Sequence, residues 1–90
     1  MPYKLQDIET RKWHEVIEDL KSQGFEEVYR YDGFDAGIDY NRFELKGPAG
    51  GELVVFEWDN WTEGEIRASE SRLEALRAKH QLGELVEVDG

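Results

Sequence analysis

The apolar positions of this chain change period several times, and each change marks an element. Trp13, Val16, Ile17 and Leu20 recur at i, i+3, i+4 and i+7, the stripe of an amphipathic helix. The spacing predicts a helix from about Ile8 to Gln23, with Asp7 or Thr10 as its N-cap and Gly24 in the left-handed position that follows a helix C-terminus. From Phe25 the period drops to two, with Phe25, Glu27, Tyr29 and Tyr31 on one face and Glu26, Val28 and Arg30 on the other, as in a strand. Asp32-Gly33-Phe34-Asp35-Ala36-Gly37 reads as a turn, Ile38 to Lys46 as a second strand, and Gly47 to Gly51 as a tight reversal set by Pro48. Leu53-Val54-Val55-Phe56 is apolar on both faces before Glu57 and Trp58 restore the alternation, which predicts the central strand.

Trp61 to Ile66 has the pattern of a helix start: Thr62 as N-cap, Glu65 closing a capping box, and Trp61 stapled to Ile66. The second helix is expected to run to about Gln81, to bury Ile66, Leu73 and Leu76, and to carry Arg77, Lys79 and His80 in its last turn before Gly83 ends it. Leu85-Val86-Glu87-Val88 predicts a short final strand, and Tyr3 to Leu5 is a further candidate. The expected fold class is therefore α+β, a single domain over residues 1–90 in the order α-β-β-β-α-β. It consists of an antiparallel three-stranded meander with two helices on one face and a short C-terminal strand.

Ninety residues bury too little surface for two cores, which supports one domain. The chain has no cysteine, hence no disulfide framework or thiolate zinc site, and its apolar runs are too short for a membrane span. A cytoplasmic protein is expected. The formal net charge is −10 and is unevenly placed: residues 25–66 hold eleven acids against three bases. Such a field repels nucleic-acid phosphate and anionic lipid and favours a basic protein partner, so neither nucleic acid nor membrane is expected as a ligand.

In an antiparallel meander the loop Asp32 to Asp39 and the segment Trp58 to Glu65 reach the same end of the sheet. The candidate partner-binding residues are accordingly Asp32, Phe34, Asp35, Asp39, Trp58, Asp59, Asn60 and Glu63. Carboxylates beside aromatic faces suit lysine or arginine, which gain both charge-assisted hydrogen bonds and cation–π contact. Competing structural roles are also legible. Trp58 alternates with Val54 and Phe56 and suits the core, Asp32 and Asp35 are turn formers, and acids in a first helical turn need no ligand. The loop from Asp32 lacks the oxygen spacing of a calcium loop, Gly47 to Gly51 lacks the lysine and helix of a phosphate cradle, and neither His14 nor His80 has a partner at ligand spacing. No catalytic residue, metal ligand or cofactor is expected.

The αβββα order of residues 8–81 resembles the topology of double-stranded-RNA-binding domains. That family grips phosphate with basic residues at the start of its second helix and in a strand connection. This chain has Thr62-Glu63-Gly64-Glu65 and Gly47-Pro48-Ala49-Gly50 there, which speaks against RNA binding. The expectation is a small acidic, non-enzymatic binding protein, in the manner of an immunity protein or a nucleic-acid-mimicking inhibitor. The alternative is a divalent-metal-binding regulator or hydrolase built on the same carboxylates. If Val54, Phe56 and Trp58 face the helices, then Val28, Ile38, Tyr40, Leu53 and Val55 form an apolar patch on the other face, and a sheet-to-sheet homodimer is expected through it.

Overall fold

The first helical stripe closes against the sheet as its spacing requires. In the computed structural model, which describes residues 3–35, 38–48, 51–83 and 85–87, α1 spans Thr10–Ser22 and buries Trp13, Val16, Ile17 and Leu20. A helix of 13 residues is marginal alone, and burial of such side chains at about 1.5–3 kcal/mol each decides that it forms. Its N-cap position is Glu9, without a side-chain capping bond, rather than Asp7 or Thr10. At the other end Gly24 has φ 99, the Gly24 N–H reaches the Lys21 carbonyl at 3.1 Å, and the Phe25 N–H reaches that of Leu20 at 3.1 Å. This is the left-handed stop the sequence predicts, and the buried Leu20 and Phe25 accompany it.

Among the described residues six strands form one antiparallel sheet: β1 (Tyr3–Ile8), β2 (Glu26–Asp35), β3 (Ile38–Lys46), β4 (Leu53–Asp59), β5 (Glu63–Ala68) and β6 (Leu85–Glu87). The spatial order is β2-β3-β4-β5-β1-β6, and α2 (Glu70–His80) lies between β5 and β6 in the chain. The fold class is α+β, and one apolar cluster drawn from both helices and the sheet forms its core. Among the described residues no helix is long and apolar enough to cross a membrane.

Three local expectations are corrected. Asp32 to Asp35 do not turn; they extend β2, whose pairing with β3 continues to Asp35↔Ile38. Trp61 to Ile66 do not start a helix: Glu63, Glu65 and Arg67 alternate with Gly64, Ile66 and Ala68, and this period of two makes β5. Trp61 consequently staples nothing, and the N-cap of α2 is Ser69, whose hydroxyl accepts from the Arg72 N–H at 3.3 Å. The helix ends at His80 with Gln81, not Gly83, in the left-handed region at φ 55. With β1 before α1 and β5 before α2, the chain departs from the αβββα order of double-stranded-RNA-binding domains.

A register shift in β1 between Leu5 and Ile8, with Asp7 at φ 55, re-phases the strand so that both apolar residues reach the core. Leu45, Phe43, Val54, Phe56 and Ile66 face the helices, as the sequence predicts for Val54 and Phe56. The opposite face is not the contiguous apolar surface expected. Glu44–Arg42–Glu57–Arg67–Glu65–Lys4 form a ladder of ion pairs crossing β3, β4, β5 and β1, with N···O distances of 3.0, 3.6, 3.2, 3.8 and 3.1 Å. Tyr40 adds its hydroxyl to Glu57. Val28 and Leu53 are exposed near the margins of this face, Tyr40 and Val55 are half-buried, and the Ile38 side chain lies outside the described residues.

Candidate functional site

The β2–β3 hairpin and the β4–β5 turn meet at one end of the sheet, because Tyr40 pairs with Asp59 and Asn41 with Trp58. Asn60 locks the two together: its side-chain oxygen accepts from the Asp39 N–H at 3.0 Å, and its own N–H reaches the Asp39 carbonyl at 3.3 Å. Asp32, Asn41 and Trp58 are a cross-strand row, and with Gly33 and Asp39 they line a concavity of 340 Å³. Trp58 ties this end of the sheet to the start of α1, its indole donating to the Thr10 hydroxyl at 2.9 Å. Trp58 packs against the core and also lines this concavity, so its structural and site roles coincide.

The β4–β5 turn is shaped by one carboxylate. Asp59 accepts from the N–H groups of Trp61 and Thr62 at 2.8 and 2.7 Å and from the Thr62 hydroxyl at 2.9 Å. Burial pushes its carboxyl upward, but these three hydrogen bonds together hold it below the usual aspartate value. Glu63 closes the turn at φ 60, a conformation that residues other than glycine rarely adopt, and its carboxylate takes the Thr10 hydroxyl at 3.4 Å beside the positive end of α1. Trp61 at the turn tip is left 77% exposed.

Of the residues singled out from the sequence, Asp32, Asp39 and Trp58 therefore share the concavity, while Asp59 and Asn60 are spent on the turn and its clamp. Glu63 does not line the concavity and instead meets Thr10. The side chains of Phe34 and Asp35 lie outside the described residues. Sequence reasoning missed Asn41 as a lining residue and Trp61 as the most exposed large apolar side chain among those described. The signal for Trp61 was present, since Asp59 and Asn60 before it are turn formers.

On the outer face beside this end, the Tyr31 and Tyr40 rings lie 6.0 Å apart between centroids. Tyr31 folds back over Gly33, where an added Cβ would run into its ring, so this glycine makes room for the aromatic. Burial and the Glu57 carboxylate hold the Tyr40 phenol above its ordinary value.

A second concavity, of 560 Å³, lies between the helices and is lined by Arg11, His14, Glu15, Glu18, Asp19, Lys79 and His80. Asp19 joins the helices there, with Lys79 Nζ at 2.9 Å and His80 Nε2 at 3.0 Å. The hydrogen bond from Lys79 is the main reason its carboxyl lies below the usual value, and that from His80 adds to it against the opposing effect of burial. His80 thus has an acidic partner 61 residues away in sequence that no local spacing discloses. Among the described residues no group of three or more His, Asp or Glu side chains is placed to hold a metal ion. Compared with protein families, with curated proteins and with solved structures, the chain matches none.

Proposed function

We propose that this protein is a cytoplasmic, non-enzymatic binding protein whose acidic, aromatic sheet end captures a basic protein partner. The observation that carries the reading is Trp61, held 77% exposed on a turn whose backbone is fastened by Asp59 and Asn60. Holding a large apolar side chain in water on an ordered turn gains nothing for folding, whereas aromatic anchors ringed by polar groups dominate binding energies. Asp32 and Asp39 in the concavity, and Glu63 on the β4–β5 connection, supply the charge that a lysine or arginine would pair with.

The test is capture of the native partner at low salt by a variant combining Trp61→Ala, Asp32→Asn, Asp39→Asn and Glu63→Gln. Asp59 is left intact because the turn depends on it. The combined variant is expected to lose about 2 kcal/mol or more of binding free energy, together with the salt sensitivity of capture. Equal capture by the variant and the natural chain would overturn the reading. The cytoplasmic setting is checked separately by cell fractionation.

Self-association is a second proposal. A sheet-to-sheet homodimer through Val28, Ile38, Tyr40, Leu53 and Val55 would have to cover the Arg42–Glu57–Arg67 ladder, and desolvating such ions costs several kcal/mol each unless the partner face pairs them. If the dimer forms, Val55→Lys is expected to split it without changing helix content. Light scattering that finds the natural chain monomeric at high micromolar concentration would rule the dimer out.

A further inference from the structure

We infer that the outer edge of β2 accepts a basic, extended peptide segment as an added strand. The inference rests on the proposed function and deepens it, since it names the form in which a basic partner presents its cations. In the order β2-β3-β4-β5-β1-β6, β2 has a single neighbour among the described residues, so alternate backbone N–H and C=O groups along it face away from the sheet. The helices pack mainly on β1 and β5; α1 reaches β2 only near its start, through Lys21 3.6 Å from Glu27, and not over Tyr29 to Asp35 in any contact among the described residues. Sheets commonly protect such an edge by keeping it short, yet β2 is 10 residues long and its pairing with β3 is regular over the seven positions from Tyr29 to Asp35.

Its side chains also mark it. Val28, Tyr29 and Tyr31 are 53%, 45% and 48% exposed, so one edge strand holds three of the five exposed large apolar or aromatic side chains among the described residues. Tyr29 and Tyr31 are two apart, pairing with Glu44 and Arg42, and so share the outer face. A neighbouring strand with cations at alternate positions would set them over these rings.

Charge decides between the two occupants that could pair with this edge. The strand carries Glu26, Glu27, Asp32 and Asp35 against Arg30 alone. Arg30 is itself tied down, by Glu27 at 3.0 Å and by stacking 4.4 Å over the Phe43 ring. A second copy of β2 would place this charge against itself, whereas a basic segment gains from it.

The probe is an acetylated, amidated heptapeptide of alternating lysine and valine, added to the full chain at low salt. Two isomers carry three N-methyl groups each, on the amides of peptide positions 1, 3 and 5 or of positions 2, 4 and 6. Only one of these sets can face β2, so one isomer is expected to bind about tenfold more weakly than the other, the loss of two or three hydrogen bonds. Hydrogen-exchange protection is expected to rise at amides between Tyr29 and Asp35. Equal affinity of the two isomers, binding without added protection in β2, or no binding by the parent peptide would each overturn strand addition. Repeating the titration on the Trp61→Ala, Asp32→Asn, Asp39→Asn, Glu63→Gln variant separates the two ideas. Binding that is lost there but indifferent to the methylated position keeps the acidic-end reading and removes strand addition; binding retained with β2 protection does the reverse.

Discussion

Replacing Trp13 with alanine is expected to lower the unfolding free energy by about 3–5 kcal/mol, a large share of the 5–15 kcal/mol typical of a whole domain. Trp13 is 1% exposed at the centre of the core, with the rings of Phe43 and Phe56 at 5.5 and 6.1 Å between centroids. Its indole N–H donates to the Glu65 carbonyl at 3.1 Å, so one side chain joins α1 to β3, β4 and β5. Alanine would leave a cavity and remove that donor together. Urea unfolding followed by circular dichroism measures the loss, and a cost under about 1 kcal/mol would contradict the central role given to this residue. Trp61→Ala is the internal control, because a side chain in water contributes within about 0.5 kcal/mol.

Gly64→Ala is expected to cost about 1–3 kcal/mol by overpacking, although alanine ordinarily suits a strand no worse than glycine. A Cβ at Gly64 would lie 2.5 Å from Cδ1 of Trp13 and 3.1 Å from the Ile8 carbonyl oxygen, and the indole is hemmed in by its own neighbours. The backbone of β5 and the ring of α1 can meet only because that position has no side chain. Since both substitutions act on one contact, their effects should not add. The doubly substituted chain, with room where the indole stood, is expected to fall short of the summed losses by about 1 kcal/mol or more. Simple additivity in the same urea experiment would show that Gly64 is required for some other reason.

This contact also explains why β5 is hard to read from sequence. Its helix-facing positions are Gly64, Ile66 and Ala68, and glycine at the first of them hides the alternation that an apolar residue would reveal. Thr62 and Glu65 meanwhile reproduce a capping box, a signal that weighs only residues three apart. The gain from pairing β5 with both β4 and β1 outweighs it, and that gain depends on partners such as Tyr3 and Lys4, far away in the chain.

The candidate site divides in the same way. Antiparallel order alone brings Asp32 and Asp39 to the end of the sheet that holds Trp58, and this was legible once the strands were recognised. Which carboxylates stay available was not, because Asp59 and Asn60 are consumed by hydrogen bonds whose geometry exists only in the folded turn. The outer face was read as apolar from Val55 and Leu53. The ladder across it arises because Arg42 falls opposite Glu57 in register, while Arg67, opposite Val55, reaches Glu57 on the diagonal.

By itself the sequence determined the elements whose signals are local and repeated. The stripe of α1 and its glycine stop, β3 from Ile38 to Lys46, the start of β4 at Leu53 and its inward Val54 and Phe56 all follow from periodicities of 3.6 and 2 within a few residues. Only the tertiary structure decided the insertion of β1 between β5 and β6, the strand identity of residues 63–68, the exposure of Trp61 and the open edge of β2. The reason is physical: a helix stripe or a strand alternation is encoded in the spacing of residues close in the chain, whereas strand order and exposure depend on which distant residues share the core.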